Sequence, residues 1–121
     1  MRNRRRSHRW GIAAEYLALA LLMSKGYRPL AMRYKTPVGE IDLVVRRRRM
    51  LAFVEVKGRR GAAAAAEAVH SKNQSRVMRA AQYFLVAHPH LADCQVRFDV
   101  CLVPWYSLPQ HITQAFEATH R

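Results

Sequence analysis

Apolar positions along the chain fall into separated runs whose spacing predicts the elements. From residue 11 to 25 Ala and Leu dominate without a helix breaker, and Lys25-Gly26-Tyr27 supplies a stop, so this segment is predicted helical. A short strand over Leu30 to Tyr34 and a Thr-Pro-Val-Gly turn follow. Ile41 to Val45 and Leu51 to Val56 are rich in β-branched and aromatic residues and flank Arg46 to Arg49, which predicts an antiparallel hairpin.

If the hairpin turn centres on Arg48 and Arg49, paired positions sum to 97, placing Asp42 across from Glu55 and Glu40 across from Lys57. Alternation then gives one wholly apolar core face: Ile41, Leu43, Val45, Ala52, Val54 and Val56. The opposite face carries Val44, Leu51 and Phe53 near the turn, and Glu40, Asp42, Glu55 and Lys57 at the far end. A slip of one residue would scatter this arrangement.

Beyond the hairpin, Gly-Arg-Arg-Gly and an Ala run read as a low-complexity loop. A second helix is predicted from about Ser71 to Ala87, with Ser71 and Gln74 at capping-box spacing. Val77, Ala80, Ala81, Phe84 and Leu85 form its buried stripe, while Lys72, Arg76, Arg79 and Tyr83 form a basic stripe ending in an aromatic. Gln95 to Val103 reads as a strand with Val96, Phe98, Val100 and Leu102 inward, and His111 to Ala118 as a last strand. Asp99 reads as a structural acid paired with an Arg, and His88 and His90 as surface residues around a proline.

Length favours one domain over residues 11–121, preceded by a basic tail over 1–10. The 21 basic residues against eight acids give a formal charge of +13. Such a surface calls for a polyanion, and nucleic acid is favoured over anionic lipid. Cys94 and Cys101 form neither a Cys-x-x-Cys motif nor a disulfide framework, which fits a reducing cytoplasm. The Arg-rich start followed by an apolar run has the outline of an export signal, but Glu15 interrupts it and no small-x-small cleavage site follows Met23. A membrane-surface anchor built from the same run is disfavoured because the run has no polar face.

The acids are the chemical question, because carboxylates at the end of a core hairpin need a reason. Asp42 and Glu55 on adjacent strands are close enough to share one cation, and Mg²⁺ takes one or two carboxylates plus water and substrate phosphate. Lys57, on the same face as Glu55, is placed to steady charge building on phosphorus. Glu15 would complete the metal site or pair with an Arg; Glu40 would be a further ligand or, the favoured reading, pair with Lys57. Taken alone, Glu-x-Lys on a strand is weak, since solvated Glu and Lys often alternate with apolar residues. Arg46, Arg47, Arg48, Arg49, Arg59, Arg60, Lys72, Arg76 and Arg79 are candidate phosphate contacts, with an ordinary solvated surface as the bland alternative.

In sequence order, GIAAEYLALALLMSKGY, VGEIDLVV, LAFVEVKGRR, AVHSKNQSRVMRAAQYFL, RFDV and TQAF resemble the YraN-like family of small bacterial proteins. That family is similar to the restriction-endonuclease-like PD-(D/E)xK nucleases, in outline to archaeal Holliday-junction resolvases. The resemblance implies an α/β restriction-endonuclease-like fold, a central mixed sheet flanked by helices. By position it makes Glu15, Asp42, Glu55 and Lys57 the catalytic residues, the three acids the ligands of Mg²⁺ or Mn²⁺, DNA the partner, and a homodimer compatible. Asp42 follows Gly-Glu-Ile where the superfamily motif has proline. A nuclease fold retained only for nucleic-acid binding is the rival reading.

Overall fold

The computed structural model describes residues 4–58, 73–104 and 108–116, with side-chain surroundings from residue 11. Helix α1 (Arg4–Ser24) leads into strands β1 (Arg28–Thr36), β2 (Gly39–Arg47) and β3 (Met50–Lys57). Helix α2 (Asn73–Ala87), a short 3₁₀ turn (Pro89–Leu91), β4 (Gln95–Leu102) and β5 (Gln110–Phe116) follow. The strands form one mixed sheet in the order β1-β2-β3-β4-β5, antiparallel except for the β3–β4 pair. A parallel neighbour needs a crossover, and α2 lies on the connection that makes it.

Both faces of the sheet are covered. Ala14, Ala18 and Leu22 of α1 pack with Leu43, Val45, Ala52, Val54, Cys101 and Val103. Val77, Ala80, Ala81 and Phe84 of α2 pack with Val44, Leu51, Phe53, Phe98 and Val100 on the other side. This explains why β2 and β3 read as near-continuous apolar runs rather than clean alternation. The face expected to be apolar only near the turn is therefore a second core.

α1 begins at Arg4, inside the segment expected to be tail. It ends as the Lys-Gly-Tyr signal predicts: Gly26 adopts φ 95°, its N–H donates to Met23 O, and the Tyr27 N–H donates to Leu22 O. That pattern is a Schellman cap, which glycine fits without strain. α1 packs its small residues into the core, and among the described residues no helix is long and apolar enough to cross a membrane.

The hairpin register is the expected one, running from Arg47↔Met50 to Leu43↔Val54. Its tip places Arg48 at φ 57°, a left-handed conformation disfavoured for any residue with a Cβ. We expect Arg48→Gly to stabilise the fold by about 0.5–1 kcal/mol, the strain relieved outweighing the added unfolded-state entropy. A urea midpoint that rises at unchanged slope checks it.

Three smaller expectations are corrected. Val96 is exposed, because it sits at the start of β4 beside the hairpin tip. Leu85 is only partly buried at the margin of the α2 core. His88 is not a free surface residue: its ring stacks on Phe84 at 3.9 Å and its Nδ1 bonds Phe84 O at 2.8 Å. Ser71 and the Ala-rich loop lie outside the described residues, as do Arg59, Arg60 and Lys72.

Candidate functional site

The far end of the hairpin opens because the ladder stops early. After Leu43↔Val54 no further β2–β3 pair forms, and the Val56 N–H donates instead to Asp42 Oδ2 at 2.8 Å. Asp42 thus stands in as the acceptor that the neighbouring backbone would have supplied. The strand turns here: Ile41 packs with the α2-side core although Leu43 packs with the α1-side core. Ile41 was expected on the Leu43 face, and this local rotation is why it is not.

The splayed strands and α2 enclose a pocket of about 310 Å³ lined by Asp42, Glu55, Lys57, Glu40 and Arg76. α2 passes close to Gly39, where a Cβ would stand 3.4 Å from Arg76 Cβ. Thr36 shapes the turn before it, its Oγ1 accepting from the Val38 and Gly39 N–H groups.

Glu55 is buried, with 7% of its surface exposed. One oxygen, Oε2, meets Lys57 Nζ at 3.0 Å, whereas the buried Oε1 has no hydrogen-bond partner among the described residues. A buried carboxylate oxygen without a donor is costly. Glu55 and Lys57 share a face as expected, but Lys57 pairs with Glu55 and not with Glu40, which is exposed. The open ladder removes the cross-strand contact on which the Glu40 pairing depended.

Glu15 reaches this end of the sheet from α1, where Arg33 Nε meets its Oε1 at 2.7 Å. Arg33 sits on β1 at φ 53°, in the gap between the pairs Met32↔Leu43 and Tyr34↔Ile41. The Arg pairing expected as one of the two roles of Glu15 is therefore present. Its charge still acts on Asp42, whose carboxyl is pushed up from 3.8 to about 7. Burial is the main cause; the Val56 N–H opposes it, and Glu15, Glu55 and Glu40 add to it.

Four of the eight acids in a +13 chain therefore act on one another here. Asp42, Glu55 and the orphaned Oε1 fit a hard divalent cation that keeps several waters. Among the described residues no three acids or imidazoles converge tightly enough to form a protein-only cage. Asp42 and Glu55 are the two carboxylates that could serve such an ion, with water completing its shell.

This arrangement predicts an inverted pH response. Asp42 holds its proton more tightly when folded, so its contribution is fully present below about pH 4 and lost as pH rises to about 7, on the order of 4 kcal/mol at most. In EDTA, wild-type stability relative to Asp42→Asn should fall across that window. A cation held by the ionised acids reverses the trend, so Mg²⁺ at about 100 times its Kd should add about 2.7 kcal/mol at pH 8 and much less at pH 5. Thermal melts at both pH values check this.

The basic residues divide. Arg76 and Arg79 are exposed on α2, Arg76 at the pocket. Arg46 to Arg49 lie at the opposite end of the hairpin, where Arg48 at the tip is six residues on from Asp42, or about 20 Å. They do not belong to the acidic pocket. A network missed in the sequence joins β4, β5 and the end of α1. Asp99, fully buried, accepts from Arg97 Nε and NH2, both at 2.8 Å, from the Gln114 N–H at 3.0 Å, and meets His111 Nε2 at 2.8 Å. An Arg partner was expected for Asp99 without a position, and Arg97 is that residue; His111 was not foreseen, since nothing in its spacing marks it.

A family profile described as "Uncharacterised protein family UPF0102" matches residues 14–103, spanning the acidic pocket and most of the sheet. A UPF0102 protein of Bradyrhizobium diazoefficiens is 53% identical over 111 residues, covering 92% of this chain and 84% of the relative. One from Rhodopseudomonas palustris strain BisB18 is 53% identical over 92% of this chain and 82% of its own length. A third, from Nitrobacter winogradskyi, is 51% identical over 90% and 92% of the two chains. The chain belongs to the UPF0102 family, the YraN-like family that its motifs resemble.

Proposed function

We propose that this protein is a metal-dependent endonuclease that hydrolyses phosphodiester bonds of DNA, built on a restriction-endonuclease-like version of its mixed α/β sheet. The observation that carries the reading is the orphaned Glu55 Oε1 beside Asp42, in an open pocket of a protein with formal charge +13. Such a pocket suits a cation, and such a charge suits a polyanion.

Asp42 and Glu55 would hold Mg²⁺ or Mn²⁺, which when bound polarises the scissile phosphate and acidifies an attacking water. Lys57 has two roles. Without the cation it partly neutralises Glu55; with substrate its ammonium, 15% exposed, faces a phosphate oxygen as charge develops. Arg76 contacts a flanking phosphate at the pocket mouth, and Arg79 extends that line one helical turn further. Glu15 acts through Asp42 by keeping negative potential on it, and Arg33 keeps Glu15 from filling the pocket.

Incubating the purified protein with labelled duplex, single-stranded, flap and four-way-junction DNA in Mg²⁺, Mn²⁺ or EDTA tests the reading. Metal-dependent products absent with EDTA and with Lys57→Ala support it. Tight, salt-sensitive binding with no product under any metal would replace it with the non-catalytic nucleic-acid-binding alternative.

A further inference from the structure

The hairpin tip is the strongest charged feature outside the acidic pocket. A groove of about 550 Å³ is lined there by Arg47, Arg48, Arg49, Arg97, Met50 and Gln95. The way its arginines are held separates it from an ordinary solvated turn. Arg46 Nε donates to Arg48 O at 2.8 Å, Arg47 NH1 to Lys25 O at 3.0 Å, and Arg49 NH2 to Asp93 O at 3.2 Å. The Arg47 guanidinium also lies over the Tyr27 ring, 4.5 Å from its centroid.

Each of these bonds fixes a guanidinium without neutralising it, because each acceptor is a backbone carbonyl. Among the described residues none of Arg46 to Arg49 meets a carboxylate, whereas Arg33 is bound by Glu15 and Arg97 by Asp99. Arg47, Arg48 and Arg49 are exposed, and each guanidinium keeps N–H groups free for a planar oxyanion.

We propose that the hairpin tip is a second phosphate-backbone contact, gripping the same nucleic acid that lies across the acidic pocket. The two contacts are about 20 Å apart, or about six nucleotide steps of 3.4 Å. One strand held at both ends would pass around the outside of the domain from one end of the β2–β3 hairpin to the other, with its scissile phosphate at the acids and its flank at the arginines. The inference takes its polymer from the proposed nucleic-acid reading but needs no catalysis.

The test is fluorescence anisotropy of a labelled 24-base-pair duplex in EDTA, titrated at several salt concentrations. Arg48→Gln/Arg49→Gln should weaken binding about tenfold and reduce the slope of log K against log salt by about 2, with one duplex bound per chain. Arg48→Lys/Arg49→Lys should keep most of the slope. Arg76→Gln/Arg79→Gln should lower it independently, and the fourfold variant by about the sum. Should the paired substitution disturb folding, Arg49→Gln alone should lower the slope by about 1. An unchanged slope in the Gln variants overturns the tip contact and leaves the pocket reading standing. A wild-type protein that binds no duplex overturns both, whereas binding with the expected slopes but no cleavage in Mg²⁺ removes only the nuclease reading.

Discussion

Asp42→Asn should lower metal-dependent cleavage by about 10³-fold or more, roughly 4 kcal/mol of transition-state stabilisation, while making the metal-free protein more stable. Both effects have one cause. Asp42 is a largely buried carboxyl in the field of Glu15, Glu55 and Glu40, with the Val56 N–H as its one hydrogen-bond donor among the described residues. An Asn oxygen keeps that hydrogen bond and removes the charge, which should add about 1–3 kcal/mol at pH 8 in EDTA. The same change takes away a cation ligand, so added Mg²⁺ should no longer stabilise the variant. Activity and stability pull apart where a site gathers like charges for a ligand. Cleavage retained in Asp42→Asn, or a variant less stable than wild type in EDTA, would contradict this account of the pocket.

Asp99→Ala should have the opposite character: a loss of about 3–5 kcal/mol in folding stability with no direct role in chemistry. Asp99 is fully buried, and burial alone would raise its pKa; the bonds from His111, Arg97 and the Gln114 N–H outweigh that and hold it below the usual carboxylate range. Deleting it leaves the buried Arg97 guanidinium without its carboxylate and removes the side-chain ties from β4 to His111 and the Gln114 N–H of β5. Because the folded pKa is depressed, this contribution is present above about pH 4 and lost as pH falls through the folded value. Asp42 and Asp99 therefore oppose one another in acid. Urea melts of wild type and both variants between pH 4 and 8 separate them: the Asp42→Asn gain grows with pH, and the Asp99→Ala loss shrinks toward acid.

The hairpin was legible because its signals were local and redundant. β-branched runs, an Arg turn and the count between them lead to one register, which the backbone pairs confirm from Leu43↔Val54 to Arg47↔Met50. The α1 stop was legible for the same reason, since Gly26 serves a cap that few other residues fit. What escaped depended on partners distant along the chain. Glu40 and Lys57 would meet if the ladder ran on, but Asp42 takes the Val56 N–H and the strands part.

The second core face shows a different limit. Phe53 and Val44 are fully buried because α2 crosses over them, and an apolar run does not say how many of its faces will be covered. Asp99 carried a usable signal: an acid flanked by Phe98 and Val100 demands a partner, and Arg97 lies two residues back on the same strand face. His111 reaches Asp99 from another strand, and only the β4–β5 pairing reveals it. The Glu15–Arg33 pair likewise depends on an irregularity in β1 that no pattern announces.

The central claim is that the acids at the open end of the hairpin hold a divalent cation, and Mn²⁺ binding followed by the loss of the free-ion paramagnetic resonance signal at pH 8 tests it most directly. Wild-type protein should take up one ion per chain, and Asp42→Asn and Glu55→Gln should each weaken that binding by about tenfold or more, with Lys57→Ala leaving it intact or tighter. Uptake that is absent at millimolar Mn²⁺, or that survives unchanged in both acid variants, would contradict it.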